Sequence, residues 1–168
     1  MLIQIIFVGL FALNLYLLWK MAWYRLPGSF VFFCLPLVTP FFDQPRFALD
    51  YFWWRVAGFI AIALGAALLV WARRALGRIF TNIGETPAVL VTSGPYGFVR
   101  HPGYLGLIFI FVGWWWLWAA VYAFYFGMFS LAVVWAQGWL EEKLVLEKKF
   151  GDQYRNYYQK ETGMFWVK

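Results

Sequence analysis

Long apolar stretches separated by short polar segments dominate this sequence. Residues 1–19 carry no charge, and residues 51–72 carry only Arg55. A helix needs about 20 mostly apolar residues to cross a hydrocarbon core about 30 Å thick. The pattern therefore predicts a membrane-spanning helix over each stretch. In the second, Arg55 can extend its charged end to the interface, and Ala57, Ala61 and Gly65 form a small-residue stripe suited to close helix contact.

The longest uncharged stretch covers residues 102–140. At about 1.5 Å per residue, a single helix over this length would be nearly twice as long as the hydrocarbon core is thick. We therefore expect two spans that fold back as a hairpin. The turn is predicted in WWWLWAAVY, residues 114–122, because clustered tryptophan suits the headgroup layer.

Residues 26–42 form a shorter and weaker candidate, interrupted by Pro36 and Pro40. Prolines are tolerated in a span only where neighbouring groups satisfy the freed carbonyls. A kinked span is the preferred interpretation, with a re-entrant hairpin as the alternative. The prediction is thus an all-α membrane protein: a polytopic bundle of about five transmembrane helices that ends in a cytoplasmic C-terminal segment.

Composition agrees with this class, since 64% of the residues are hydrophobic and 13% are charged, against about a quarter charged in soluble domains. No linker or internal repeat divides the chain, so residues 1–168 are expected to form a single domain, with the first three spans in residues 1–72. The N-terminus lacks the basic region and cleavage site of a signal peptide, which favours a retained first span. Cys34 is the only cysteine, which excludes an intramolecular disulfide and multi-cysteine metal sites and favours a packing role.

The basic residues segregate along the chain, and the positive-inside rule then gives the orientation. With five spans and the C-terminus in the cytoplasm, only Arg46 and Arg55 lie near the opposite face. The other twelve of the fourteen lysines and arginines fall in cytoplasmic segments. The net charge of +6 therefore indicates orientation and attraction to anionic membrane lipids, and it does not indicate nucleic acid binding.

Polar chemistry is concentrated in two segments on the predicted cytoplasmic side, and the first is GPYGFVRHPGYLG, residues 94–106. Glycine and proline predict turns, and Pro102 suits the first position of a helix, so the helix is expected to begin at His101. Its free amide groups would favour a carboxylate or phosphate, and Arg100 adds a planar donor pair. Tyr104 lies four residues after Arg100 and can close over the same place.

The second segment is GWLEEKLVLEKKFGDQYRNYY, where Glu141 and Glu142 directly follow an apolar span. Gln137 precedes Glu141 by one turn, and Gly138 precedes Glu142 by one turn. Adjacent helical residues point about 100° apart, so at most one glutamate is expected to face the site. Spacing alone also allows a simpler interpretation, in which Arg-His-Pro anchors a helix at the interface and Glu-Glu-Lys is a solvated terminus.

Taken together, LVTSGPYGFVRHPGYLG, the apolar hairpin and EEKLVLEKKFGDQYRNYYQKETG resemble the isoprenylcysteine carboxyl methyltransferase and phospholipid methyltransferase superfamily of membrane enzymes. The resemblance covers residues 88–163 and combines Arg-His-Pro-x-Tyr, an uncharged spacer, Glu-Glu and Phe-Gly-x-x-Tyr in one order. It implies that this segment is the cofactor-binding and catalytic core, which encloses S-adenosylmethionine from the cytosolic side. The implied cofactor-binding positions are Leu90, Val91, Tyr96, His101, Pro102, Gly103, Tyr104 and Glu142.

The cofactor is zwitterionic with a cationic sulfonium, which suggests roles for these residues. The helix start and Arg100 suit its carboxylate, Glu142 suits its amino group or ribose hydroxyls, and tyrosine faces suit the cation. Arg100, His101 and Glu141 are the predicted catalytic residues. Methyl transfer needs an aligned nucleophile rather than a metal, so no metal site is expected, and His101 would position groups unless the acceptor is a protonated amine.

The predicted function is methyl transfer from S-adenosylmethionine to a lipophilic acceptor, a lipid or an apolar small molecule, at the membrane–cytosol interface. An enzyme like the isoprenylcysteine carboxyl methyltransferases is the first interpretation. However, such enzymes tend to carry an arginine four residues before the second glutamate, where this chain has Gly138. Methylation of a phosphatidylethanolamine amine or of a small thiol therefore remains open, as does a non-catalytic membrane scaffold.

Overall fold

A computed structural model describes residues 37–48, 52–77, 89–159 and 163 of the chain. In this part of the molecule all regular secondary structure is helical, apart from isolated bridges that join Arg46 to Ala120 and Val99 to Gly163. The α-helices are α1 (Phe52–Leu76), α2 (Pro102–Trp118), α3 (Val121–Glu141), α4 (Glu147–Phe150) and α5 (Asp152–Gln159). A π-helical turn, Glu142–Leu146, connects α3 to α4, and short 3₁₀ helices cover Thr39–Phe41 and Gly94–Gly97.

Among the described residues, two helical segments are long and apolar enough to cross a membrane. One is α1, with 25 residues, which confirms the helix predicted over residues 51–72. The other runs continuously from Val121 to Phe150. Helix α2 is apolar but shorter, with 17 residues. The predicted first span, Cys34 and most of residues 26–42 lie outside the described residues, so the count of five spans stays a prediction.

Helices α2 and α3 form the predicted hairpin. Helix α2 ends at Trp118, Ala119 adopts a left-handed conformation with φ 48°, and α3 begins at Val121, inside the window expected for the turn. The segment before α1 closes this turn, because the amide of Phe47 donates to the carbonyl of Ala119 at 2.8 Å. Between the two helices lies a buried apolar cluster that includes Phe111, Trp115, Ala120, Ala123 and Val134.

Glycines bring α1 and α2 into close contact. A Cβ atom at Gly65 would lie 2.5 Å from the carbonyl oxygen of Gly106, and one at Gly58 would lie 3.0 Å from that of Gly113. Gly58 and Gly65 are seven residues apart on α1, and Gly106 and Gly113 are seven residues apart on α2. The antiparallel pair of helices therefore repeats the same glycine contact after two turns. The backbones can approach this closely only because these positions lack side chains.

The expected contact stripe of Ala57, Ala61 and Gly65 is confirmed at Gly65 and wrong at Ala57. The buried residues of α1 are Gly58, Gly65 and Ala72, whereas Ala57 is exposed and Ala61 is half-buried. The four-residue spacing identified small residues on α1 but not the face that meets α2. A seven-residue repeat stays on one face of a helix better than a four-residue repeat does, because seven residues make almost two full turns.

Basic residues lie at both ends of this helix pair, but unequally. Arg55 lies in the first turn of α1, whose Trp54 stacks on Trp116 near the end of α2 with ring centroids 3.9 Å apart. Arg46 lies beside the same end, 5.6 Å from the ring of Trp118. At the other end are the basic residues Arg73, Arg74, Arg100 and Lys143. Arg46 and Arg55 therefore lie at one end of the helix pair and the other four residues at the opposite end, as the charge pattern predicts.

Candidate active site

The start of α2 forms one wall of the candidate active site. The chain turns through the 3₁₀ helix Gly94–Gly97, where Gly94 has a φ of +62° that favours glycine. His101 then occupies the N-cap position and Pro102 begins the helix, as the sequence predicted. The His101 side chain does not cap the first turn, and a Cβ atom at Gly103 would meet no atom within 4 Å. The helix start therefore leaves open space beside its first turn.

A buried ion pair joins this helix start to the end of α3. The guanidinium of Arg100 donates to Glu142 through Nε at 2.8 Å and through Nη2 at 3.4 Å. His101 Nε2 lies 3.0 Å from the same carboxylate. The side chain of Arg100 is 8% exposed and that of Glu142 is 3% exposed. Because an ionised carboxylate only accepts hydrogen bonds, Nε2 must carry the proton and cannot act as a base while it binds Glu142.

Glu141 also faces α2, so the expectation that at most one glutamate would do so is wrong. The hydroxyl of Tyr104 donates to Glu141 Oε2 at 2.8 Å. The two glutamates bind different partners. Those of Glu142, Arg100 and His101, lie just before the first turn of α2, and that of Glu141, Tyr104, lies within it. The rings of His101 and Tyr104 stack with centroids 5.3 Å apart, which joins the two halves of the site.

Burial and charge fix the protonation of the groups around this site. Burial alone would lower the pKa of Arg100, but the hydrogen bond and the negative charge of Glu142 raise it above its ordinary value. Burial and, second, the charge of Glu141 raise the pKa of Tyr96 to about 12. Arg100 is therefore a cation and Tyr96 a neutral hydroxyl at neutral pH, so neither is a base.

Helix α5 contributes three tyrosines that were not among the predicted site residues. The ring of Tyr158 lies under the guanidinium of Arg100, 4.3 Å from Cζ, and the hydroxyl of Tyr157 donates to the carbonyl of Tyr96 at 2.6 Å. The Tyr154 hydroxyl is buried within electrostatic reach of Glu142, without a hydrogen bond of normal geometry among the described residues. Tyr154 ends the Phe-Gly-x-x-Tyr motif, and Tyr157 and Tyr158 follow it by three and four residues, which places the three tyrosines on one helix face.

The remaining predicted residues lie around this cluster. Leu90 and Val91 are half-buried in the irregular segment before the 3₁₀ helix, and Pro102 is buried at the first position of α2. Gly138 is buried one turn before Glu142. The structure thus brings Arg100, His101, Tyr104, Glu141 and Glu142 into direct contact and connects Tyr96 to them through helix α5. Within residues 37–48, 52–77, 89–159 and 163, no three His, Cys, Asp or Glu side chains cluster as metal ligands would.

The chain matches a known protein family. A family model described as phospholipid methyltransferase matches residues 53–153, which are more than half of the chain. The match includes nearly all of α1, the hairpin and every site residue that the sequence predicted, and it ends before the three tyrosines of α5. No curated protein and no solved structure matches the sequence significantly.

Proposed function

Since the chain belongs to the phospholipid methyltransferase family, we propose that it is a membrane enzyme that methylates a lipid amine with S-adenosylmethionine as the methyl donor. The observation that carries this proposal is the buried cluster of Arg100, His101 and Glu142, which joins the start of α2 to the end of α3. Burying three polar groups at the end of an apolar hairpin is costly unless they are mutually satisfied. Such a cluster suits a binding site better than an ordinary helix terminus.

The residues at the helix start fit S-adenosylmethionine. The open space beside Gly103 and the uncapped first turn of α2 suit the cofactor carboxylate, since helix amides and the helix dipole favour anions there. Tyr96 and Tyr104 supply hydroxyls and aromatic faces close to this place, and aromatic faces attract cations such as a sulfonium. When bound, the cofactor would supply an electrophilic methyl group to the acceptor.

The protein side chains would then position the acceptor and exclude water. Glu142 holds Arg100 and His101 in place, because each of its oxygens accepts a hydrogen bond from one or both of them. Glu141 is held by Tyr104 and supplies a negative charge beside the helix start. Orientation of a nucleophile within a dry site accounts for much of the rate of such a transfer.

An amine suits this site better than a carboxylate as the acceptor. Arg100 directly precedes His101 at the helix start, and its guanidinium already binds Glu142 through two nitrogens. Gly138, where an arginine would be needed to hold a substrate carboxylate, is buried and carries no charge. An acceptor ammonium could instead pair with Glu141, and that carboxylate would take the proton that the ammonium must lose before its nitrogen can accept the methyl group. We therefore propose a lipid amine such as phosphatidylethanolamine over an isoprenylcysteine, with the site on the cytoplasmic face.

The test is a methyl-transfer assay on detergent-purified protein with tritiated S-adenosylmethionine. Phosphatidylethanolamine and acetyl-farnesylcysteine are supplied side by side, and the labelled lipids are separated before counting. We expect label in phosphatidylethanolamine and at least tenfold less in farnesylcysteine. The Gly138→Arg variant is the matched comparison, because it introduces the missing cation and should shift the ratio towards the carboxylate.

Two results would contradict the proposal. Strong methylation of farnesylcysteine by the unmodified protein would show that Gly138 does not prevent carboxyl methylation. Failure to bind S-adenosylhomocysteine in a calorimetric titration would favour a non-catalytic scaffold that keeps the helix-start cluster for stability.

A further inference from the structure

We propose that Tyr158 is a positioning residue, which holds Arg100 in its ion pair with Glu142 as part of a C-terminal clasp. The clasp consists of helix α5 and Gly163, and it contacts the segment of residues 96–100 that leads into α2. The kinetic consequence of the clasp rests on the proposed methyltransferase activity, whereas its structural consequence does not.

Three contacts along α5 and beyond it define the clasp. The Tyr157 hydroxyl donates to the carbonyl of Tyr96 at 2.6 Å. Gly163 pairs with Val99 in an isolated parallel bridge, and its carbonyl accepts the amide of Arg100 at 3.0 Å. The backbone immediately before α2 is therefore held by the C-terminal part of the chain on both sides of Phe98.

The ring of Tyr158 completes the clasp at the side chain of Arg100. The Cζ atom of Arg100 lies 4.3 Å from the ring centroid, which is well within the range of a cation–π interaction. Lys143 lies 5.8 Å from the same ring. Tyr158 itself is 43% exposed, while Arg100 is almost buried, so the ring covers the guanidinium from the solvent side. Glu142 and Tyr158 together limit the rotamers that Arg100 can adopt.

A glycine sets the direction of α5. Gly151 separates α4 from α5 and has φ +51° and ψ −124°, a backbone conformation that residues with a Cβ rarely adopt. The amides of Tyr154 and Arg155 both donate to the Gly151 carbonyl at 3.1 Å, so α5 begins directly after this sharp turn. The turn changes the direction of the chain after the continuous helical segment of α3, the π-helical turn and α4. The tyrosines of α5 can therefore reach residues 96–100.

Hydrogen exchange tests the clasp without requiring activity. The Tyr158→Ala variant should increase the exchange rate of the Arg100 amide and of peptides covering residues 96–105 by at least about threefold. Tyr158→Phe keeps the ring and should exchange like the unmodified protein. Tyr125→Ala is the matched control, because Tyr125 is an exposed aromatic residue on α3 far from the clasp.

Steady-state kinetics then separate positioning from general stability. Tyr158→Ala should raise the KM for S-adenosylmethionine by about three- to tenfold while kcat changes less than twofold, and Tyr158→Phe should restore the KM. An unchanged exchange rate in Tyr158→Ala would overturn the proposal. So would equal increases in exchange rate and KM in Tyr158→Phe and Tyr158→Ala. Increased exchange in Tyr158→Ala would support the clasp even if the unmodified protein transferred no methyl group, a result that would contradict the proposed function instead.

Discussion

At the scale of single residues, the site depends on a carboxylate that has almost no contact with solvent. Glu142 binds Arg100 and His101 and is 2% exposed. Charge-assisted hydrogen bonds of this kind are about twice as strong as neutral ones, and removing one partner leaves a buried charge unpaired. The three residues should therefore behave as a unit, in which a change at one alters the position of the others.

Substitutions within this unit should weaken cofactor binding. We expect His101→Ala and Glu142→Gln to lose at least about 1 kcal/mol of binding free energy for S-adenosylhomocysteine, which is about fivefold in Kd. The measurement is a calorimetric titration of detergent-purified protein. Lys148→Ala is the control, because Lys148 is exposed on α4. An unchanged Kd in both site variants would place the cofactor elsewhere.

At the scale of helices, the position of the site depends on how closely α1 and α2 approach. The paired glycines let the two backbones come into contact. The ring centroid of Trp71 on α1 lies 6.2 Å from that of Phe98, in the segment that leads to the site. The other end of the pair is fixed by Trp54, whose indole donates to the carbonyl of Trp116 at 2.6 Å. Helix α1 thus supports the start of α2 although it contributes none of the residues in the Glu142 cluster.

A side chain added at the glycine contact should destabilise the helix pair. Gly65→Ala would place a methyl group 2.5 Å from a backbone carbonyl, which can be relieved only by moving the helices apart. Overpacking of this kind costs about 1–3 kcal/mol. We expect a lower midpoint of thermal unfolding in detergent, and no comparable loss for Ala66→Leu, which alters an exposed neighbour on the same helix. Equal midpoints for the two variants would mean that the glycine contact contributes little to stability.

At the scale of the whole molecule, the distribution of charge predicts the orientation of the chain in the membrane. Arg46 and Arg55 lie at the end of the α1–α2 pair opposite Arg73, Arg74 and Arg100. The candidate site lies at the end with more basic residues, which the positive-inside rule assigns to the cytoplasm. A cytoplasmic site would have direct access to a soluble methyl donor.

Cysteine labelling tests this orientation. In a Cys34→Ser background, single cysteines at Arg74 and Gln153 should react with an impermeant maleimide only from the cytoplasmic side. A cysteine at Asp43, which is exposed near the opposite end of α1, should react only from the other side. Labelling of Arg74→Cys and Asp43→Cys from the same side would reject the proposed topology.

The sequence by itself determined the features that depend on local composition. The length of the apolar stretches predicted α1, and the uncharged stretch of residues 102–140 predicted a hairpin whose turn the structure places at Ala119. Proline geometry predicted that a helix begins after His101. These features follow from backbone hydrogen bonding, chain length and the conformations that each residue allows, and none depends on which helix lies beside which.

Only the tertiary structure decided which faces and side chains meet. The sequence indicated Gly65 as a contact residue of α1, but it did not indicate Gly58, which also meets α2. Nor did it indicate that both glutamates have partners on α2, or that Tyr158 covers Arg100. Each of these contacts depends on the rotation of one helix about its axis relative to another. That rotation is set by the packing of all the contacts together, so short-range patterns contain little information about it.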